Sequence, residues 1–114
     1  MKAMNNSGLH VIADIYTREQ CSKKETLLLI EQAIEIAKMT IIERVEHEFN
    51  CNDAFTAMWL LAESHFTIHT YPEFNYISID CYTCGEKSRP VSAVASIIES
   101  LNPTDSNIKI VKRG

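Results

Sequence analysis

Residues 60–80 read LLAESHFTIHTYPEFNYISID, and two alternating runs separated by one proline set the frame for the rest of the chain. His65, Thr67 and His69 fall on one side of an extended segment, and Phe66, Ile68 and Thr70 on the other, the period-two pattern of a strand with two unlike faces. Pro72 lacks the amide that a sheet ladder requires, so Tyr71-Pro72-Glu73 should end or redirect that strand. Alternation resumes over 76–83, YISIDCYT, as a further strand that stops at Cys84-Gly85. At the leading edge of the first run stands Glu63-Ser64, the pair that the rest of the chain is expected to position.

Working outward, residues 24–39 repeat apolar side chains at Leu27, Ile30, Ile34 and Ala37, which predicts an amphipathic helix whose stripe is core. Ser22, with Glu25 three positions later, has capping-box spacing and marks its start. Residues 40–49 change to period two and predict a strand. Asn50 to Asp53 form a turn-rich break, and residues 54–61 are apolar enough for a strand buried on both faces, with Trp59 in the core or at a subunit contact. Gly8 to Tyr16 form a first strand, in which Asp14 is expected to face solvent. Pro90 to Leu101 carry Val91, Val94, Ile97, Ile98 and Leu101 at helical spacing behind a first-turn proline. Residues 107–111 supply a last strand. The expected fold is α+β, a two-layer sandwich with an antiparallel-rich sheet and two helices on one face. A sheet apolar on both sides would then need a second copy of the chain to cover it.

With 114 residues one domain, 1–114, is expected. The net charge of -4 comes from scattered acids without a basic run, which disfavours a nucleic-acid partner held through phosphates and suits a cationic or zwitterionic small substrate. No apolar run approaches the roughly 20 residues that cross a bilayer, and the N-terminus lacks the apolar core of a signal peptide. We therefore expect no membrane, a cytoplasmic location, and free thiols at Cys21, Cys51, Cys81 and Cys84.

Cys81-x-x-Cys84 is a single pair, and none of the four histidines shows the spacing of a dedicated helical metal site, so no metal is expected. Residues three apart on a strand point to opposite faces, which makes the two thiols inequivalent. Cys84, beside Gly85 at the strand end, can stand at the rim of a site and exchange a proton. A serine next to a histidine also fits hydrolytic nucleophiles, but the G-x-S-x-G elbow is missing and the surroundings of Ser64 are poor in glycine.

The run from Leu61 to Glu73, LAESHFTIHTYPE, with DCYTCG from Asp80 to Gly85 and the opening GLHVIAD at Gly8 to Asp14, closely resembles the prokaryotic S-adenosylmethionine decarboxylase proenzymes over nearly the whole chain. The resemblance implies a pyruvoyl-dependent decarboxylase that feeds polyamine (spermidine) synthesis and makes its own cofactor by autocatalytic serinolysis between Glu63 and Ser64. By the same match Ser64 is the precursor of the pyruvoyl group, whose ketone condenses with the substrate amine and withdraws electrons as carbon dioxide leaves. His69 is the implied processing base, Thr56 the hydroxyl that polarises the Glu63 carbonyl, and Cys84 the proton donor in turnover. Phe49 is implied to stack on adenine across a homodimer interface. His69 lies five residues beyond Ser64 and reaches it only if the chain turns sharply at the junction.

Residues 50–57, NCNDAFTA, lack the proline and glycines that family members commonly carry there, and Tyr71 replaces the usual tryptophan. Because this segment borders the substrate site, a basic amino acid such as ornithine or arginine is the alternative substrate. An unprocessed binding or regulatory subunit is the alternative from outside the enzymes.

Overall fold

A computed structural model describes residues 8–49, 53–84 and 89–114. Six strands form one antiparallel sheet in the order β2-β3-β4-β5-β1-β6. They are β1 (Gly8–Tyr16), β2 (Ile41–Glu48), β3 (Phe55–Leu61), β4 (Ser64–Tyr71), β5 (Tyr76–Thr83) and β6 (Asp105–Arg113), with helices α1 (Lys23–Ile36) and α2 (Pro90–Leu101). The α+β sandwich and its element order match the expectation.

Strand parity decides which face is covered. Val11, Ala13 and Ile15 of β1, Phe55, Ala57, Trp59 and Leu61 of β3, Phe66 and Ile68 of β4, and Ile77, Ile79 and Cys81 of β5 are all buried in one cluster. Leu27, Ile30 and Ile34 of α1 and Ala93, Val94 and Ile97 of α2 belong to the same cluster, so both helices cover this face. Each fully buried side chain of this size stabilises the fold by about 1.5–3 kcal/mol relative to exposure. Trp59 is a core residue, and its indole N–H donates to Glu31 of α1 at 2.8 Å.

α1 starts as read: the Ser22 hydroxyl accepts from the Glu25 amide at 3.2 Å. It ends earlier than the apolar stripe predicts. Lys38 turns left-handed at φ 63°, and the Met39 amide donates back to the Ile34 carbonyl at 3.1 Å. Ala37 and Met39 therefore stay buried while the helix has already stopped.

The second face is uncovered, and two readings are corrected there. β3 is not buried on both sides but alternates, with Met58 48% and Leu60 51% exposed. Nor is this face simply apolar. Beside Val45, Met58, Leu60 and Ile12 it carries His10, Asp14, Thr67, His69, Tyr76 and Asp80, each engaged in a side-chain hydrogen bond, with the rings of His65 and Tyr82 packed against His10. Asp14 is one of these, accepting from the Tyr76 hydroxyl rather than standing free; that bond, with burial, raises the Tyr76 pKa above its ordinary value. The break expected at 50–53 lies largely outside the described residues, as do Cys51 and Gly85. Among the described residues no helix is long and apolar enough to cross a membrane.

Candidate active site

β3 and β4 pair antiparallel through Leu61 and Ser64, leaving Ala62 and Glu63 as a tight turn. Glu63 takes φ 61°, left-handed backbone that costs a non-glycine residue about 1–3 kcal/mol and persists only where the surroundings hold it. β5 runs on the other side of β4 with Thr83 opposite Ser64. That register brings two consecutive residues of β5 onto the two halves of the junction. The Ser64 hydroxyl donates to Thr83 Oγ1 at 2.7 Å, and the Cys84 thiol donates to the Glu63 carbonyl oxygen at 3.0 Å. Ser64 and Thr83 are buried, and Cys84 stands half-buried at the end of the strand.

Cys81 and Cys84 divide as parity requires. Cys81 lies fully within the core, and burial, helped by the nearby Asp80 charge, pushes its thiol up to about 12. Its thiol therefore stays protonated at neutral pH, and the two cysteines face different surroundings, Cys81 in the core and Cys84 on the junction. Cys21, Cys81 and Cys84 are free thiols.

His69 and Thr56 belong to a different place. They pair directly across β3 and β4, and Thr56 Oγ1 is hydrogen-bonded to His69 Nδ1 at 3.1 Å. β4 is regular from Ser64–Tyr71, so the sharp turn that would bring His69 back to Ser64 does not occur. Five residues along an extended strand span about 17 Å, and odd separation puts the two side chains on opposite faces. Within one chain, then, the Glu63 carbonyl is met by Cys84 and not by Thr56, and His69 does not touch Ser64.

His69 and Thr56 instead line a cleft of about 470 Å³ with Phe49, Tyr71 and Glu73. The cleft combines an aromatic wall, a carboxylate and an imidazole, a set suited to a nucleoside that carries positive charge. The Phe49 amide donates to the Ala54 carbonyl at 2.8 Å, and its ring packs edge-on against His47 with centroids 4.8 Å apart. Pro72–Phe74 form a 3-10 turn closed by left-handed Asn75, φ 50°, a conformation asparagine tolerates better than most residues. That turn carries Glu73 to the cleft. The position of Glu73 depends on this turn, so alternation alone gave no signal for it.

Sequence reading also missed a cluster in the middle of the open face. His10 Nε2 lies 2.5 Å from Asp80 Oδ2, His65 Nε2 lies 3.7 Å from Asp80 Oδ1, and the Thr67 hydroxyl donates to Asp80 Oδ1 at 2.7 Å. Burial opposes the Asp80 charge, but the His10 and Thr67 hydrogen bonds outweigh it and hold the carboxyl below its usual value. The three ligand-type side chains are close enough to surround an ion. However, both carboxylate oxygens already have partners, and the Arg113 guanidinium lies 3.4 Å from His10 Nδ1, so the cluster is already satisfied as a hydrogen-bond network. Its members come from three strands far apart in sequence, and only their register unites them.

Comparison with known proteins places nearly the whole chain. A family model described as S-adenosylmethionine decarboxylase matches residues 9–114. The S-adenosylmethionine decarboxylase proenzyme of Sulfurihydrogenibium sp. (strain YO3AOP1) is 40% identical over 110 residues, covering 94% of this chain and 82% of that protein. The proenzyme of Aquifex aeolicus (strain VF5) is 37% identical over 110 residues, with 94% and 81% covered. The crystal structure of the adenosylmethionine decarboxylase from Aquifex aeolicus VF5 superposes with a TM-score of 0.85 at 32% identity, covering 97% of this chain and 93% of that one. With the family model and the relatives matched over most of the chain and the fold shared, the chain belongs to the S-adenosylmethionine decarboxylase family.

Proposed function

We propose that this protein decarboxylates S-adenosylmethionine, using a pyruvoyl group that it makes by cutting itself between Glu63 and Ser64. The observation that carries the reading is the contact of the Cys84 thiol with the Glu63 carbonyl, beside a buried Ser64 hydroxyl and under a left-handed Glu63. In processing, Ser64 Oγ adds to the Glu63 carbonyl carbon, the C–N bond breaks, and the proton lost by Oγ ends on the freed nitrogen, leaving an ester. The thiol hydrogen bond stabilises negative charge on the carbonyl oxygen as the adduct forms. Elimination releases the Glu63 carboxylate and leaves dehydroalanine, and water then replaces ammonia to give the ketone. The residues at the junction fit this precursor role: a hydroxyl, an acid donor and a turn open at the end of the sheet.

Once formed, the pyruvoyl ketone supplies an electron sink for loss of carbon dioxide from a substrate bound through its amine. This chain supplies position and protons. Cys84 stays within reach of residue 64 and donates the proton that replaces the carboxyl group. Phe49 offers a stacking surface for adenine, and Glu73 a carboxylate for ribose hydroxyls or the sulfonium charge.

The reading requires a homodimer. The processing pair His69-Thr56 and the aromatic cleft sit about 17 Å along the strand from Ser64, on the other side of the sheet. A second copy packed on the open face supplies them in trans and covers Val45, Met58 and Leu60, which are otherwise exposed. His69 of the partner subunit then serves as base and Thr56 of the partner subunit as the second donor to the Glu63 carbonyl. A small cationic substrate, polyamine synthesis as the pathway and a cytoplasmic location complete the proposal; no nucleic acid or membrane partner is needed.

Intact mass followed by release of labelled carbon dioxide tests it. Two fragments, residues 1–63 and a pyruvoyl-headed 64–114, with turnover of S-adenosylmethionine are the expected result. Turnover of ornithine or arginine instead would move the substrate while keeping the chemistry. A persistent full-length chain with Ser64 intact would make the protein a non-catalytic subunit.

A further inference from the structure

We infer that Thr83 is a positioning residue for self-cleavage, holding the Ser64 hydroxyl in the orientation from which it attacks. The inference rests on the self-cleavage reading above and adds a residue to it. Thr83 lies directly opposite Ser64 in the β4/β5 ladder, so its side chain is set by backbone register and not by a flexible loop. Its hydroxyl oxygen accepts the Ser64 proton at 2.7 Å, and the pair is buried, at 8% exposure for Ser64 and 3% for Thr83. At this burial solvent competes only weakly for the serine proton, and an acceptor at this distance favours one χ1 well for Ser64.

The neighbouring residue holds the other reacting atom. Cys84 donates to the Glu63 carbonyl oxygen, so the dipeptide Thr83-Cys84 grips Glu63-Ser64 at both ends of the bond that must form. The hydroxyl is held as a donor, which leaves the Ser64 oxygen lone pairs unclaimed by Thr83 and free to enter the carbonyl carbon. In the step itself the Oγ–C bond forms, the C–N bond breaks, and one proton passes from Oγ to the nitrogen through the processing base. Thr83 neither gains nor loses a proton overall. Its contribution is geometric and belongs to ester formation, not to the elimination that follows.

The test compares Thr83→Val, which keeps the shape and removes the hydroxyl, with Thr83→Ser, which keeps the hydroxyl and removes the methyl. Full-length chains made by cell-free synthesis are followed for fragment formation by denaturing electrophoresis, with and without hydroxylamine, which cleaves an accumulated ester. We expect Thr83→Val to cleave about tenfold more slowly than wild type, since one hydrogen bond is lost. Thr83→Ser should stay within about twofold, and hydroxylamine should not rescue Thr83→Val. Equal rates for Thr83→Val and wild type, equal slowing of both variants, or rapid hydroxylamine cleavage of Thr83→Val would each overturn the assignment. Thermal melts of the full-length chains check folding. Should Thr83→Val not fold, Thr83→Ala against Thr83→Ser provides the same contrast. A wild-type chain that never cleaves would refute the self-cleavage reading itself, an outcome distinct from these.

Discussion

The two ends of β4 carry different chemistry on different faces of one strand. At its start, Ser64 points into the covered side of the sheet, and its neighbours on β5 hold both the hydroxyl and the adjacent carbonyl. Toward its far end, His69 points to the uncovered side, bonded to Thr56 and opening on a cleft with an aromatic wall. On the proposed reading, one end holds the bond to be cut and the other the processing base, about 17 Å away along the strand. The difference teaches that, if the chain works as proposed, its two ends are half-sites that a second copy packed on the open face would complete.

The largest effect expected from breaking this arrangement is at the junction. Ser64→Ala should remove both fragment formation and decarboxylation, leaving one band at 13.0 kDa; any residual turnover would require another route to the ketone. Nearly as decisive is a mixing experiment that addresses the division itself. Ser64→Ala and His69→Ala chains, each silent alone, are co-expressed with distinct tags. If the base acts in trans, about half of the His69→Ala chains should be cut under random pairing. No cutting in the mixture would place His69 back in its own chain.

Cys84→Ala should lower decarboxylation by roughly 10²-fold or more, the usual contribution of a positioned acid. It should also slow cleavage about tenfold, because the same thiol holds the Glu63 carbonyl. Single-turnover assays on chains allowed to process fully separate the two effects, and wild-type cleavage in this variant would detach the thiol from processing. At the far end, Glu73→Gln should raise KM for S-adenosylmethionine about tenfold and leave cleavage untouched. A change in cleavage with no change in KM would move Glu73 from the substrate cleft to the junction.

The smallest effect concerns the network between the two ends. Asp80→Asn weakens the His10 and Thr67 contacts and should lower stability by about 1 kcal/mol at neutral pH. The Asp80 carboxyl is held below its ordinary 3.8, so its stabilising contribution is present above that value and is lost as pH falls through the lower folded-state pKa. The melting difference between wild type and variant should be flat near neutrality and close on acidification below the ordinary value. A difference that grows with acid would show that the network is held by something other than this charge.

Much of this was legible in the chain itself. Period-two alternation over 65–70 and 76–83 puts His69 and Cys81 on strands with Ser64 and Cys84 at their ends, and opposite parity separates the two thiols. Helical spacing at Leu27, Ile30 and Ile34 and at Val94 and Ile97 identified the side of each helix that meets the sheet. Apolarity failed as a guide at β3, where Met58 and Leu60 look like core residues but face the uncovered side. A hydrophobic side chain signals a surface to be covered without saying which element, or which copy of the chain, covers it.

Periodicity is a local property of the chain, so it could assign strands and helices from sequence alone, while the resemblance to a known family singled out the Glu63-Ser64 junction. Register and turn geometry are set by packing between distant segments, and they decided the rest. They put Thr83 opposite Ser64, put the Cys84 thiol on the Glu63 carbonyl, and gathered His10, His65 and Asp80 from three strands. A one-residue slip of β5 would move Asp80, Thr83 and Cys84 to the other face of the sheet, which is why chemistry at Ser64 depends on the tertiary fold even though Ser64 itself is evident in the sequence.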